Sequence, residues 1–452
     1  MINTLYLPEL REALAQQNAR ELEEFCTTLH PARTAEFMEG LQPQEAWSVL
    51  KYADLETRAE IFRYLDEGVQ EEIVEHGDRT AIAELLAEMP PDDRVDVLKD
   101  VSNRAVDELV PMLPLDERRA TQRLYAYPEE TAGALMTTEV AKLSEDLSVR
   151  QAIDEIQRQA EEQETVYYLY VVDEGDHLRG LVSARQLLAA MGRPDTPIKE
   201  LMETEVIHVN AMDDQEAVAQ MVERYDLLAI PVVDIEHRML GIVTYDDVMD
   251  VVREEATEDA HRIAAVSPLE EGYLDTPLMT LSWKRGMWLM LLFVGALLTA
   301  FALGHYEHVL SAGSLTWLVM FVPLVISSGG NSGNQSATLI ITALTTGDVA
   351  LHDWARIVLR EIAMGILLGS YLAAIGFLAA LFMTPNVLSA LVVPITLVLV
   401  VVAGTLCGSV LPLLFKRIGL DPALMSSPFV AGIIDIVGIV IYMNVALALV
   451  GV

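Results

Sequence analysis

Apolar residues follow three rhythms along this 452-residue chain. In the last third they run almost without interruption, and since about 20 apolar residues carry a helix across a bilayer, five stretches read as spans: 287–303, 315–343, 357–382, 391–415 and 428–450. The first follows Trp283-Lys284-Arg285, an interfacial aromatic with two cationic anchors. Over the first 130 residues the apolar positions recur at helical spacing, and Gly40-Leu-Gln-Pro-Gln-Glu-Ala-Trp-Ser-Val-Leu-Lys51 resembles Glu88-Met-Pro-Pro-Asp-Asp-Arg-Val-Asp-Val-Leu-Lys99 at an offset of 48. Proline-started amphipathic helices that repeat in this way predict a stacked helical array. Between these regions Leu135-Met-Thr-Thr-Glu-Val140 matches Leu201-Met-Glu-Thr-Glu-Val206 at an offset of 66. Each copy continues as helix, short strand, acidic turn, strand and helix, with Arg179-Gly-Leu-Val and Leu240-Gly-Ile-Val opening the second strands.

That tandem pattern looks like a pair of CBS modules, a regulatory fold whose cleft often takes adenine nucleotides or metals. The expected architecture is a multi-domain membrane protein. An all-α superhelical domain over 1–130 precedes α+β modules over 131–199 and 200–252, a long connecting helix over 253–283 and a five-helix transmembrane bundle over 284–452.

Charge sharpens the division. Residues 286–452 hold four Lys or Arg against six Asp or Glu, a net of −2, which leaves −35 of the chain's −37 on the 285 residues before them. So acidic a region is no nucleic-acid surface, because phosphate attraction needs an excess of Lys and Arg. It attracts cations. Lys284, Arg285, Arg356, Arg360, Lys416 and Arg417 all fall on one side of the spans, and the loops at 305–314 and 384–390 carry no Lys or Arg. That asymmetry predicts a protein of the cell's inner (plasma) membrane with a cytoplasmic N-terminus and an outside C-terminus. MINTLYLPELREALAQQ has neither the basic nor the apolar region of a signal peptide. Cys26 and Cys407 fall in a cytoplasmic segment and a span, so no disulfide is expected. Phosphate-loop, dinucleotide, H-E-x-x-H and C-x-x-C motifs are absent from the sequence, and no enzyme activity is expected.

Chemistry concentrates where polar residues enter lipid-depth sequence, since they are costly there and tend to be functional. Asp435 is the one charged residue of the fifth span, about 12 Å along a helix axis from Ser427. The second span carries Ser327-Ser-Gly-Gly-Asn-Ser-Gly-Asn-Gln-Ser-Ala-Thr338. Two readings stay open for it: a tight helix seam of small residues, or a polar face lining a pathway, with Asn334 and Thr338 four apart on one side. A carboxylate with amides and hydroxyls, and no thiolate or imidazole, suits Mg²⁺, Ca²⁺ or Mn²⁺. Spacing alone does not choose among them.

Two membrane motifs, Pro323-Leu-Val-Ile-Ser-Ser-Gly-Gly-Asn-Ser-Gly-Asn-Gln335 and Leu420-Asp-Pro-Ala423 followed by Ser427-Pro-Phe-Val-Ala-Gly-Ile-Ile-Asp435, complete a resemblance to the MgtE magnesium channel family over essentially the whole chain. The resemblance implies a homodimer with an ion pathway on its axis, selective for Mg²⁺ and closed by cytosolic Mg²⁺. Asp435 falls on the selectivity carboxylate, and Asn334 and Thr338 on pore-lining positions. Ser427 departs from the asparagine frequent before the proline of the fifth helix. For the regulatory ions it implies Glu255, Glu258 and Asp259 on the connecting (plug) helix and Asp421 at the start of the fifth span. Further positions are Glu60, Asp92 and Asp96 in the helical domain, and Asp214, Glu216, Asp226, Asp247 and Asp250 in the CBS pair. The CBS cleft is a candidate ATP site, with Thr244 and Asp247 standing near where a ribose or phosphate would lie. An ion-coupled secondary transporter and a membrane-anchored CBS nucleotide sensor are the rival readings.

Overall fold

The computed structural model describes residues 6–159, 163, 165–269, 272–274, 276–310, 315–424 and 427–450. They belong to two compact units, Met1–Arg253 and Glu254–Val452.

The first unit opens with α1 (Leu7–Gln16), α2 (Ala19–Thr28), α3 (Pro31–Met38), α4 (Pro43–Leu50), α5 (Leu55–Phe62), α6 (Glu67–His76), α7 (Arg79–Glu88), α8 (Pro91–Asp100), α9 (Asn103–Leu109) and α10 (Leu115–Leu124). Each helix starts 12 residues after the one before it. The 48-residue likeness in the sequence is thus four periods of a shorter repeat, legible where Pro43 and Pro91 both open a helix. Helices this short are marginal alone, and their last carbonyls lack intrahelical partners. The fourth residue of several helices meets that need. Arg58, Gln70, Arg94 and Arg118 donate to carbonyls ending the preceding helix: to Ala53 at 2.9 Å, Leu65 at 2.8 Å, Met89 at 2.7 Å and Leu113 at 3.0 Å. Arg94, 1% exposed, also pairs with Glu117 of α10 at 2.6 Å. Leu50, Ile61, Phe62, Leu85, Leu86 and Leu98 fill the core between the stacked helices. Asp54, Asp66, Asp78 and Ser102 cap α5, α6, α7 and α9 through their side chains, so part of the acidic surplus is structural.

The same unit continues with α11 (Ala132–Leu135), β1 (Val140–Ser144), α12 (Val149–Gln159), β2 (Thr165–Val172), β3 (Leu178–Ser183) and α13 (Ala184–Ala189). The second copy holds β4 (Val209–Asn210), α14 (Gln215–Tyr225), β5 (Ala229–Val233), β6 (Met239–Thr244) and α15 (Tyr245–Ile263). Each copy builds a three-stranded sheet, a parallel pair followed by an antiparallel one. The two copies are stitched reciprocally. Thr137, from the first repeat motif, exchanges both backbone hydrogen bonds with Ile242 of β6 at 2.9 and 3.0 Å, and Glu203, its counterpart in the second, exchanges two with Leu181 of β3 at 2.9 Å. Gly180 and Gly241 permit this approach. A Cβ would stand 2.2 Å from the Thr137 carbonyl at Gly241 and 2.9 Å from that of Glu203 at Gly180.

The second unit contains the end of α15, then α16 (Leu278–His305), α17 (Glu307–Leu310), α18 (Leu318–Thr345), α19 (Trp354–Met383), α20 (Val387–Ala390), α21 (Val392–Arg417) and α22 (Ser427–Val450). Among the described residues four helical segments are long and apolar enough to cross a membrane: Leu278–His305, Leu351–Met383, Val387–Arg417 and Pro428–Val450. α18 is as long as α16, and its Ser, Asn and Gln residues keep it out of that set. The connecting helix expected over 253–283 is in fact a helix from Tyr245 to Ile263, and a second one starts after Pro277. Of the outer loop expected at 305–314, residues 311–314 lie outside the described ones, as does the side chain of Ser427.

α18 is helical throughout, without the local unwinding that its glycines would allow. Those glycines form a seam. A Cβ at Gly404 of α21 would stand 2.5 Å from the Gly329 carbonyl, and one at Gly408 would stand 2.2 Å from that of Gly333. Backbone meets backbone there. The ends of α18 are tied as well, by Tyr442 Oη donating to the Leu318 carbonyl at 3.0 Å and Lys416 Nζ donating to that of Leu344 at 2.8 Å.

Candidate functional site

Asp435 sits mid-helix on α22, half-buried, against Gly330 of α18: a Cβ at Gly330 would be 3.8 Å from its Oδ1 and 3.6 Å from Ala431 Cβ. Asn334 stands one turn further along α18, half-buried, with an Oδ1 that finds no hydrogen-bond partner among the described residues. Thr338, the next turn, is exposed. Gly330, Asn334 and Thr338 therefore share a stripe on α18 that begins at the carboxylate, while Gly329 and Gly333 face the α21 seam. The small-residue seam of the 327–338 stretch thus lies on one face of the helix, and its polar stripe on another.

A second group joins the end of α15 to the segment before α22. Arg262 pairs with Glu258 one turn back and, through Nη1, with Asp421 Oδ2 at 2.5 Å. Asp421 Oδ1 also accepts the Ala423 amide at 2.7 Å, which fixes its rotamer. Asp259 belongs to the same group: burial raises its carboxyl above the usual range, and the charges of Asp421, Glu255 and Glu258 add to that while Arg262 opposes it. The donor set is all oxygen and suits a hard cation, although here the guanidinium already supplies positive charge among the carboxylates.

A third group faces α8 toward the start of α15 within the first unit. Asp92 and Asp93 lie in the first turn of α8, and Asp93 pairs with Arg63 at 3.3 Å. Burial among neighbouring groups pushes the Asp96 carboxyl up to about 7, with Asp93, Asp100 and Asp247 adding like charge and Lys99 opposing, although the residue is exposed to solvent, which screens the effect. Burial likewise lifts Asp247 to about 6, with Asp246 and Asp93 contributing, while a 2.5 Å hydrogen bond from Thr244 Oγ1 opposes it. Carboxyls raised in the folded state favour folding while protonated, so this contribution is complete below about pH 4 and is lost as the pH rises through about 6 to 7. In full-length protein stripped of divalent ions, protease resistance of the first unit should therefore be greater at pH 6 than at pH 8, and Asp96→Asn should flatten that difference. Equal resistance at both values would remove the cluster from the account.

The remaining expected ligands are dispersed. Glu60 and Asp250 are exposed, Asp214 caps α14 by accepting the Glu216 amide at 2.9 Å, and Asp226 ends that helix at φ 51°. Among the described residues no three His, Cys, Asp or Glu side chains converge closely enough to hold a metal ion. Two side chains that the sequence reading left without a role stand out. One is Arg262. The other is Glu361 of α19, whose Oε2 accepts a 2.6 Å hydrogen bond from Ser336 Oγ of α18; a carboxylate inside an apolar run was the signal for it.

Three family models match the chain: a divalent cation transporter model (MgtE) over residues 322–445, the MgtE intracellular N domain over 29–130, and the CBS domain over 132–193 and 198–254. The magnesium transporter MgtE of Thermus thermophilus is 37% identical over 440 residues, 97% of each chain. That of Enterococcus faecalis is 32% identical over 97% of this chain and 95% of its own. Among solved structures, the soluble part of a magnesium transporter superposes with a TM-score of 0.51 at 34% identity, over 55% of this chain and 97% of that one. The cytosolic domain of the Mg²⁺ channel MgtE in complex with ATP gives 0.51 at 35%, over 54% and 98%. These relatives are transporters, which bears out the expectation that the chain is no enzyme. With its N domain, CBS pair and helical C-terminal region matched in order along nearly the whole chain, this protein belongs to the MgtE family of membrane magnesium transporters.

Proposed function

We propose that the chain is a Mg²⁺-selective channel, a homodimer whose pathway runs on the dimer axis between α18 and α22, gated shut by cytosolic Mg²⁺. The observation that carries this reading is the carboxylate of Asp435 beside Gly330, at the head of a stripe on which Asn334 Oδ1 has no hydrogen-bond partner among the described residues. One carboxylate per protomer among neutral oxygens suits an ion that keeps most of its water, as Mg²⁺ does. Five helices, α16, α18, α19, α21 and α22, span the plasma membrane, with the N-terminus cytoplasmic and the C-terminus outside. The domains then run 1–130, 131–199, 200–252, 253–283 and 284–452. Import is downhill, drawn by an inside-negative potential worth about 2.3 kcal/mol per charge per 100 mV.

Closure follows from population shift. The acids of α8, α14 and α15 (Asp92, Asp96, Asp214, Glu216, Asp226, Asp247, Asp250, Glu255, Glu258 and Asp259), together with Glu60 and Asp421, repel one another when Mg²⁺ is scarce. Divalent ions bind the compact form better and hold the α15 plug against the pathway. ATP in the CBS cleft is a further ligand of this reading, supported by the ATP-bound relative. Thr244 is already engaged by Asp247, so a nucleotide there competes with that bond.

Coupled transport gains one observation, the second intramembrane carboxylate Glu361. Mg²⁺ uptake into liposomes under a membrane potential alone, with Na⁺ and H⁺ equal on both sides, decides between the two. We expect sustained uptake, and uptake only with a counter-ion gradient would replace the channel by the transporter.

A further inference from the structure

We propose that Glu361 is a positioning residue for the ion pathway: its carboxylate grips the back of α18 through Ser336 and thereby sets the rotation at which Asn334 and Thr338 face the pathway. The inference rests on the pathway reading above and adds to it a residue on a helix that the pathway does not touch.

The geometry begins with the seam. Gly329 and Gly333 lie against Gly404 and Gly408 with no side chain between the backbones. Such a contact fixes the distance between two helices closely, and the side chains of Val400 on α21 and Ile434 on α22 fill the groove beside Gly329. The ties at the ends of α18 are 26 residues apart, at Leu318 and Leu344, and each holds a backbone carbonyl rather than a side chain. In the middle of the helix Ser336 Oγ donates to Glu361 Oε2 at 2.6 Å, a bond from an α18 side chain to another helix.

Ser336 is 5% exposed. At about 100° per residue it lies about 160° around the helix from both Asn334 and Thr338. Fixing Ser336 to α19 therefore fixes both pathway residues on the opposite side. α21 braces the grip, because Thr405 Oγ1 donates to the Glu361 backbone carbonyl at 3.0 Å. A hydrogen bond to a carboxylate is among the stronger ones, and inside a bilayer no water competes for it.

The role separates from a charge-carrying one by substitution. Glu361→Gln keeps an oxygen that accepts from Ser336 and removes the charge, whereas Glu361→Ala removes both. A positioning residue is rescued by glutamine; a relay or ion-binding carboxylate is not.

The test places Thr338→Cys in full-length protein whose Cys26 and Cys407 are replaced by alanine, in liposomes, and measures its reaction rate with a membrane-impermeant thiol reagent alongside Mg²⁺ flux. We expect the cysteine to react in the Glu361 and Glu361→Gln backgrounds and about tenfold more slowly with Glu361→Ala or Ser336→Ala, the loss of one charge-assisted bond. Combining Ser336→Ala with Glu361→Ala should add nothing further. Should Glu361→Ala not be recovered folded, Ser336→Ala carries the same comparison. Equal rates in all backgrounds overturn the positioning role and leave the pathway standing. Slow reaction of the glutamine form together with the alanine form assigns Glu361 a charge-dependent role and overturns it too. A cysteine inert even beside wild-type Glu361 overturns the pathway reading itself, and the role of Glu361 falls with it.

Discussion

Replacing Asp435 with alanine should lower Mg²⁺ flux in liposomes about 10- to 100-fold, the consequence of losing a charged acceptor worth about 1.5–3 kcal/mol to the water shell of the ion. α22 is otherwise uncharged over its 24 residues, so no neighbour on that helix replaces the lost carboxylate. Nor does α18, whose contribution near Gly330 consists of amides and hydroxyls. A divalent ion arriving at this depth would meet neutral oxygens alone, which recover little of the hydration it must loosen. Asp435→Asn separates charge from shape. It keeps the side-chain volume beside Ala431 and Gly330, and we expect flux as low as in the alanine form with an unfolding temperature no lower than that of the wild type, since a lone carboxylate in low dielectric opposes folding. Flux within twofold of wild type in either variant would move the selectivity site elsewhere.

Gly408→Val should lower the unfolding temperature of the purified protein and reduce flux together. A Cβ at this position would lie 2.2 Å from the Gly333 carbonyl and 3.0 Å from the Ala337 amide, both of them backbone atoms that have no rotamer to change. α18 and α21 must separate, and overpacking of this kind costs about 1–3 kcal/mol. The stripe that carries Gly330, Asn334 and Thr338 moves with α18, so transport is lost at the same time. Gly295→Val on α16 is the control, because nothing lies within 4 Å of a Cβ there. An equal effect at both glycines would mean that helix propensity, and not the seam, explains the result.

Much of this was legible in the chain, and the exceptions have physical reasons. Asp435 declared itself because a carboxylate in an apolar run has few structural uses. The two readings of residues 327–338 were not separable from sequence: glycines that make a seam and polar residues that lie clear of it alternate along one helix, and only the neighbours α21 and α22 assign the faces. The 12-residue repeat of the N-terminal helices was blurred because its fourth position holds Arg58, Gln70, Ile82, Arg94, Val106 and Arg118 in turn, some binding carbonyls and others filling the core. Glu361 sat in plain view, but a bond to Ser336 across 25 positions leaves no periodic trace. Arg262 gave no sign of its role, since its pairing with Asp421 joins segments 159 residues apart.

The reciprocal stitching of the CBS copies has a consequence for how they respond to ligands. Thr137 completes hydrogen bonding for β6 and Glu203 does so for β3, so neither lobe satisfies its own backbone without the other. A chain severed between the lobes would leave open strand edges in both, ready to pair with foreign strands. Under the gating proposed above, a ligand bound in one lobe bears on both, and we expect the pair to melt as one cooperative body. Duplication here produced two lobes that complete one another's sheets, so that neither stands as a finished unit alone.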